Sequence, residues 1–377
     1  MPLKEGAAVS SLNTDEVRST AKNIADGCTG QSDLQKCLEK GILNLVPTDG
    51  PELAEATLTE LLNRKIMPPT SDYHDFVHKI GRATAKNFGV NPEAFFRCPL
   101  DFNYGCPHGY FEGALAEDPN PKHVAERICD KSAMTSMPQK AYFYCYHGVG
   151  HGVMMAKAYK LRDSLAICDS FPDIDAEKGC YQGTFMENVV GRMHSESRKE
   201  NFSETDLLAP CSILGEKYEV ECYINHAGYL MLRTYNSIRK AAEACLKASD
   251  NGRKSCLQSI GIMATNPGWQ KVLLKEDHGS LTKNALEYCK EFPADHLQDC
   301  YSAAIDNLAN NFKTDIRYAL ELCSLLPADS KEKCYHQMGY ALRFEIPASD
   351  DGSSICAEVP GAFRDDCIRG ISAVHPG

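Results

Sequence analysis

His74 and His78, His108 and Glu112, and His147 and His151 form three pairs of candidate ligands, each pair four residues apart. On a helix, residues i and i+4 lie one turn apart on one face. An i,i+4 histidine pair is the usual way a helix offers two ligands to one cation. The pairs stand in similar phrases, DYHDFVHK, CPHGYFEG and CYHGVGHG, so equivalent places on three successive helices are expected to carry them. Five histidines and a carboxylate point to a transition metal: zinc or copper first, with iron also served by imidazole. The chemistry expected is that of a mono- or dinuclear metalloenzyme, hydrolytic or directed at dioxygen; the alternative is a non-enzymatic scaffold or partner-binding solenoid whose metal is structural or absent. Glu112 is a candidate ligand or general base, and Glu187 in TFMENV is a second candidate base.

The positional case rests on a register. Nine cysteine pairs run along the chain, from Cys28/Cys37 to Cys356/Cys367, and the last five read C-x10-C. Counted from each second cysteine, His108, Glu112, His147 and His151 fall at +2 and +6. DYHDFVHK takes the same register, with Asp72 in place of the cysteine. Later units hold Gln182 and Met186, Ile224 and Gly228, Gln258 and Ile262, Ser302 and Asp306, His336 and Tyr340, and Arg369 and Ala373 at these positions. A histidine needed for packing would persist in every unit, yet the cluster is confined to three adjacent ones. The plain alternative is that the histidines cap helices or pair with Asp75 or Tyr73 at a helix interface. Gln182 and Asn188 are candidates to hydrogen-bond and orient the ligands. Tyr73, Tyr146 and Tyr181, at a position kept as Tyr301 and Tyr335, are expected to pack. His226 falls off the register and is a weaker ligand candidate, while His123, His194, His278, His296 and His375 read as surface residues. Gly109, Gly113, Gly148 and Gly152 follow the ligand positions. Each costs a helix interior about 1 kcal/mol against alanine. They therefore call for a reason, either close approach of ligand-bearing helices or plain helix packing.

The elements that must position these residues repeat with the cysteines. CDSFPDIDAEKGC, CKEFPADHLQDC, CSLLPADSKEKC and CAEVPGAFRDDC share a proline between the two cysteines. Proline stops the first helix and disfavours helical dihedrals in the residue before it. Downstream, Tyr335, Met338 and Leu342, like Ala303, Ile305 and Leu308, recur with helical spacing. Each unit is thus a helix, a turn and a second helix, with a disulfide joining the two. The step between second cysteines is 33 to 44 residues except for a first step of 69, in the range of helical-hairpin solenoids. A hairpin without cysteines is therefore expected inside the long step, with helices near 51–65 and 70–88. The fold expected is all-α, an α-solenoid of about ten hairpins, most of them stapled. At this level the chain resembles the tetratricopeptide and Sel1-like repeat class, some secreted members of which also staple each hairpin. The resemblance runs from Cys28 to the C-terminus, is architectural, and carries over no functional residues. Each staple closes a short loop, a gain of about 2.5 to 3 kcal/mol in the chain-entropy model.

Eighteen cysteines in pairs, with no C-x-x-C, read as disulfides rather than thiolate metal sites. An oxidising, extracytoplasmic location follows, secreted or periplasmic, although MPLKEGAAVSSLNTDE has no signal-peptide pattern. The formal net charge of −11 argues against nucleic acid as a partner. No apolar run approaches the roughly 18 to 20 residues of a spanning helix, so no membrane insertion is expected. A small molecule or peptide on the concave face is the partner expected. Residues 1–12 read as a disordered lead-in, 13–200 as the repeats carrying the histidines, and 201–377 as further repeats of the same array. The motifs of nucleophilic hydrolases, P-loops, dinucleotide folds and covalent haem are absent.

Overall fold

The computed structural model describes residues 12–67, 73–117, 120–134, 140–194, 201–274, 276–311, 316–344, 346, 352 and 354–373. The expected lead-in at 1–12, apart from its last residue, and Asp72 lie outside them. The described residues form helices and no strands. All nine disulfides join the nearest-neighbour partners, and no cysteine is free.

Helix starts are written locally. Asn13, Asp33, Asn91, Asn120, Ser237, Ser249, Asn266 and Ser280 each accept a backbone N–H of the first turn with the side chain. The proline boundaries behave as the dihedral argument requires. The Arg317–Leu325 helix stops before Leu326, which is extended (φ −69°, ψ 156°), and Pro327 caps the Ala328–Arg343 helix. The hairpin without cysteines is present as Pro51–Asn63 and Tyr73–Phe88.

The first helices of the hairpins are less regular than expected. The one before Cys98 is reduced to Pro92–Phe95, and the one at Cys356 is a 3-10 turn, Ile355–Glu358. The second helix after Cys222 breaks at Asn225 and resumes as Ala227–Arg233. Most of the second helices run long: Tyr73–Phe88, Asp101–Glu117, Ala141–Ala156 and Ile174–His194 are 16, 17, 16 and 21 residues.

The chain divides into two compact units, Met1–Ala133 with Tyr142–Thr184, and Met134–Ala141 with Phe185–Gly377. In each, second helices pack on the second helices of the neighbouring hairpins, the nearest-neighbour contact of a repeat protein. Glycine sets how closely they approach. A β-carbon on Gly109 would overlap the His78 carbonyl, and one on Gly183 the His147 carbonyl. Both glycines stand at +3 of their units, beside a ligand position. Gly370, also at +3, meets the His336 carbonyl in the second unit, where there is no histidine ladder. The close approach is therefore a packing device of the repeat, and the histidines of the first unit make use of it.

In the second unit the same register holds a buried acid. Asp306, at +6, accepts from Gln258 Nε2 (3.2 Å) and Gln337 Nε2 (2.6 Å) on the helices either side. Burial pushes its pKa up to about 7, against the pull of the two amides. A carboxyl raised in the folded state favours folding fully below its unfolded pKa of about 4, and this advantage is lost as pH rises through about 7. Urea unfolding should thus show stability falling between about pH 4 and 7, and Asp306→Asn should flatten that fall. The same slope in both proteins would place Asp306 in a solvated setting.

Candidate metal centre

The first unit brings His74, His78, His108, His147 and His151 together from three helices. His74 and His78 project from Tyr73–Phe88, His108 from Asp101–Glu117, and His147 and His151 from Ala141–Ala156. The ring of His108 lies between the pairs, with centroids 5.4 Å from His74 and His78, 4.7 Å from His147 and 5.2 Å from His151. All but His74 are buried, and His74 is half-buried. Candidate ligand atoms of His74, His78 and His108 lie within 4.8 Å of one another, as do those of His108, His147 and His151. The five histidines aligned by register therefore do meet, and the sixth position, Glu112, lies beside His78 at 2.7 Å.

Hydrogen bonds decide which ring nitrogens are available. His74 Nδ1 is 2.8 Å from the Phe102 carbonyl, which can only accept, so Nδ1 carries the proton and Nε2 a lone pair. His78 Nδ1 donates to Glu112 Oε1 at 2.7 Å, leaving Nε2 as its second lone pair. These two Nε2 atoms face each other at 3.0 Å. His147 Nδ1 is 3.1 Å from Gln182 Oε1, and its Nε2 stands 3.1 Å from Nε2 of His151. In the first pair both Nε2 atoms are left with lone pairs, which repel at that separation unless a cation, proton or metal, lies between them. Tetrahedral bonds of about 2.0 to 2.1 Å place nitrogen ligands about 3.3 Å apart, close to both observed separations. His108 differs from the rest: both ring nitrogens are buried and have no hydrogen-bond partner.

Burial and neighbouring histidines disfavour the charged form of His74, His108 and His147. Burial, then the neighbouring His78, lowers the pKa of His74 to about 3. Burial followed by the other histidines holds His108 well below the usual imidazole range, and burial with His151 does the same to His147. Glu112 is the opposite case. Burial pushes its pKa up, but the His78 hydrogen bond and the charges of His78, His151 and Arg82 outweigh it and bring it to about 2. Its carboxylate is thus ionised, with Oε1 on His78 and Oε2 on Arg82.

Several sequence readings are resolved. His74 bonds across to Phe102 rather than to Asp75 or Tyr73. Gln182 orients a histidine as expected, while the Asn188 amide oxygen accepts from Asn201. Tyr73, Tyr146 and Tyr181 are buried packing residues. His226 is buried but donates Nε2–H to the Leu207 carbonyl at 2.7 Å, a structural role in the second unit. His123 and His278 are exposed, and His296 is half-buried on Asp299. His375 and the His194 side chain lie outside the described residues. Glu187 is buried on the Ile174–His194 helix, beyond the end of the first unit.

Three participants were missed. Arg82 lies one further turn along the face of His74 and His78, so extending the i,i+4 series would have found it. Tyr144 stacks on Tyr104 at 4.5 Å and forms an aromatic wall 5.7 Å from His147. Phe102 acts through its carbonyl and has a left-handed φ of 50°. That conformation costs a residue with a β-carbon about 1 to 3 kcal/mol and is found at functional sites. Compared with family models, curated proteins and solved structures, the chain matches none.

A carboxylate that orients a ligating histidine typically accounts for about 10–100-fold in metal affinity. Glu112→Gln should weaken zinc binding by that factor in a chelator competition. Unchanged affinity would show that Glu112 does not orient His78, and complete loss would make it a ligand.

Proposed function

We propose that this chain is an exported metalloprotein holding transition-metal ions in the histidine cluster of its first unit. The observation that carries the reading is the convergence of five imidazoles, with the Nε2 atoms of His74 and His78, and of His147 and His151, facing each other at 3.0 and 3.1 Å. Neutral nitrogen donors suit zinc or copper, with iron admissible, and disfavour magnesium or calcium. Their burial supports chemistry on a molecule the size of water or dioxygen, hydrolytic or oxidative, in preference to a bulky substrate. In this reading Glu112 orients His78. Nine disulfides support a secreted or periplasmic location. No helix among the described residues is long and apolar enough to cross a membrane. We read the hairpins of each unit as turns of an α-solenoid, whose concave face would offer room for a peptide or small-molecule partner.

A second reading is favoured by the same burial: the metal clamps three helices together in a non-catalytic scaffold. An exchangeable coordination position separates the two. Azide added to the copper-loaded protein should shift its visible spectrum if the centre is catalytic and leave it unchanged if the sphere is closed.

The common premise is tested by a variant that breaks both pairs. Protein purified without a histidine tag should contain transition metal, and His74→Ala with His147→Ala should retain less than a tenth of it. Far-UV circular dichroism should be unchanged, since the disulfides and neighbouring repeats still hold the fold. Equal metal content in the two proteins would overturn the proposal.

A further inference from the structure

His108 is the one histidine of the cluster whose two ring nitrogens are both buried and both without a partner. A neutral imidazole carries one N–H donor and one lone pair. Leaving either unmet in the interior is costly, because the group has given up water and gained nothing in return. A single metal ion would satisfy only the lone pair and leave the N–H with no acceptor. Two cations, one on each nitrogen, satisfy the whole ring.

The other histidines divide in the same way. Donors on a single ion lie at most about 4.2 Å apart, twice a bond of about 2.1 Å. The five histidines form two groups, His74 with His78 and His147 with His151, and His108 is the member they share. Each outer pair already has its Nε2 atoms at a coordination separation, 3.0 Å and 3.1 Å. The His108 ring stands edge-on to the first pair, at 78° and 76°, and is stacked on the second, at 27° and 19°, so it must turn to bring an in-plane lone pair onto an ion held there. Each pair supplies two ligands and lacks a third.

We infer that His108 bridges two transition-metal ions through its two ring nitrogens, one ion held with His74 and His78 and the other with His147 and His151. This rests on the proposed metal centre and adds its nuclearity. The ring enters as neutral imidazole. It releases its N–H proton to solvent as the second ion binds, and so becomes an imidazolate with a lone pair for each metal. Two bonds of about 2.0 to 2.1 Å on opposite sides of the ring would hold the ions about 6 Å apart, near enough for electronic coupling through the bridge.

Copper(II) is the probe, because coupling through an imidazolate can be read in its paramagnetic resonance. Tag-free protein stripped of metal and reloaded with copper(II) chloride should bind two ions per chain. At low temperature its spin count should fall to less than half of the bound copper. In His108→Ala the bound copper should be fully visible, whether one ion or two remain on the outer pairs. Should that variant fail to fold, the wild-type spin count alone carries the test. One ion per chain, or two with full spin intensity, overturns the bridge and leaves the metal centre standing. No bound copper at all overturns the metal centre, and the bridge with it.

Discussion

Close contact between consecutive second helices is the constraint on which the rest of the first unit depends. Gly109 and Gly183 lie against the carbonyls of His78 and His147, where any β-carbon would collide. The helices therefore approach closely enough for side chains one residue away to share a small volume. Ring centroids of 4.5 to 5.5 Å follow for nearly every neighbouring pair in the cluster. Disulfides at Cys106, Cys145 and Cys180 tie three of the second helices to their own hairpins, while Tyr73–Phe88 has none and is placed by its neighbours. Gly370 shows the same approach with no ligand ladder above it. The spacing thus belongs to the repeat, and the chemistry to whatever occupies +2 and +6.

Filling those positions with histidine packs five imidazoles against one another, all but His74 buried, with Nε2 atoms facing in pairs at 3.0 and 3.1 Å. Burial and mutual repulsion lower the pKa values of His74, His108 and His147. Around them the protein supplies acceptors for Nδ1: a backbone carbonyl, a carboxylate and an amide. Committing Nδ1 in this way aims Nε2 inward, the arrangement that hydrogen-bond partners impose on ligating histidines. Arg82 compensates the charge of Glu112, so the anion that orients His78 is itself paired. In the second unit, Asp306 occupies the same register between Gln258 and Gln337 and yields a polar tie in place of a ligand set.

Much of this was legible in the sequence, for physical reasons that differ by feature. Local staples are readable because the partners of a short loop are neighbours in the chain, and the proline boundaries because they act on the next residue alone. The hairpin at Pro51–Asn63 and Tyr73–Phe88 has no cysteine to mark it, and shows instead as a doubled step between cysteines whose register the His74 and His78 phrase supplies. Equivalent register was enough to expect the five histidines to converge. The irregular first helices were not foreseen, because Pro92–Phe95 and Ile355–Glu358 are shaped by packing with no periodic signature. Phe102 was invisible for another reason, as a carbonyl acceptor leaves no trace in residue type. The isolation of His108 depends on what is absent around it, which only coordinates reveal.

The most direct test of the central claim is anomalous diffraction at the metal absorption edge, from crystals of tag-free protein grown with zinc or copper. The account requires anomalous density within about 2.0 to 2.1 Å of nitrogens from His74 and His78, from His147 and His151, or from both pairs, with His108 adjoining. Metal bound elsewhere, with the cluster's rings closed on one another and no density between them, would contradict it.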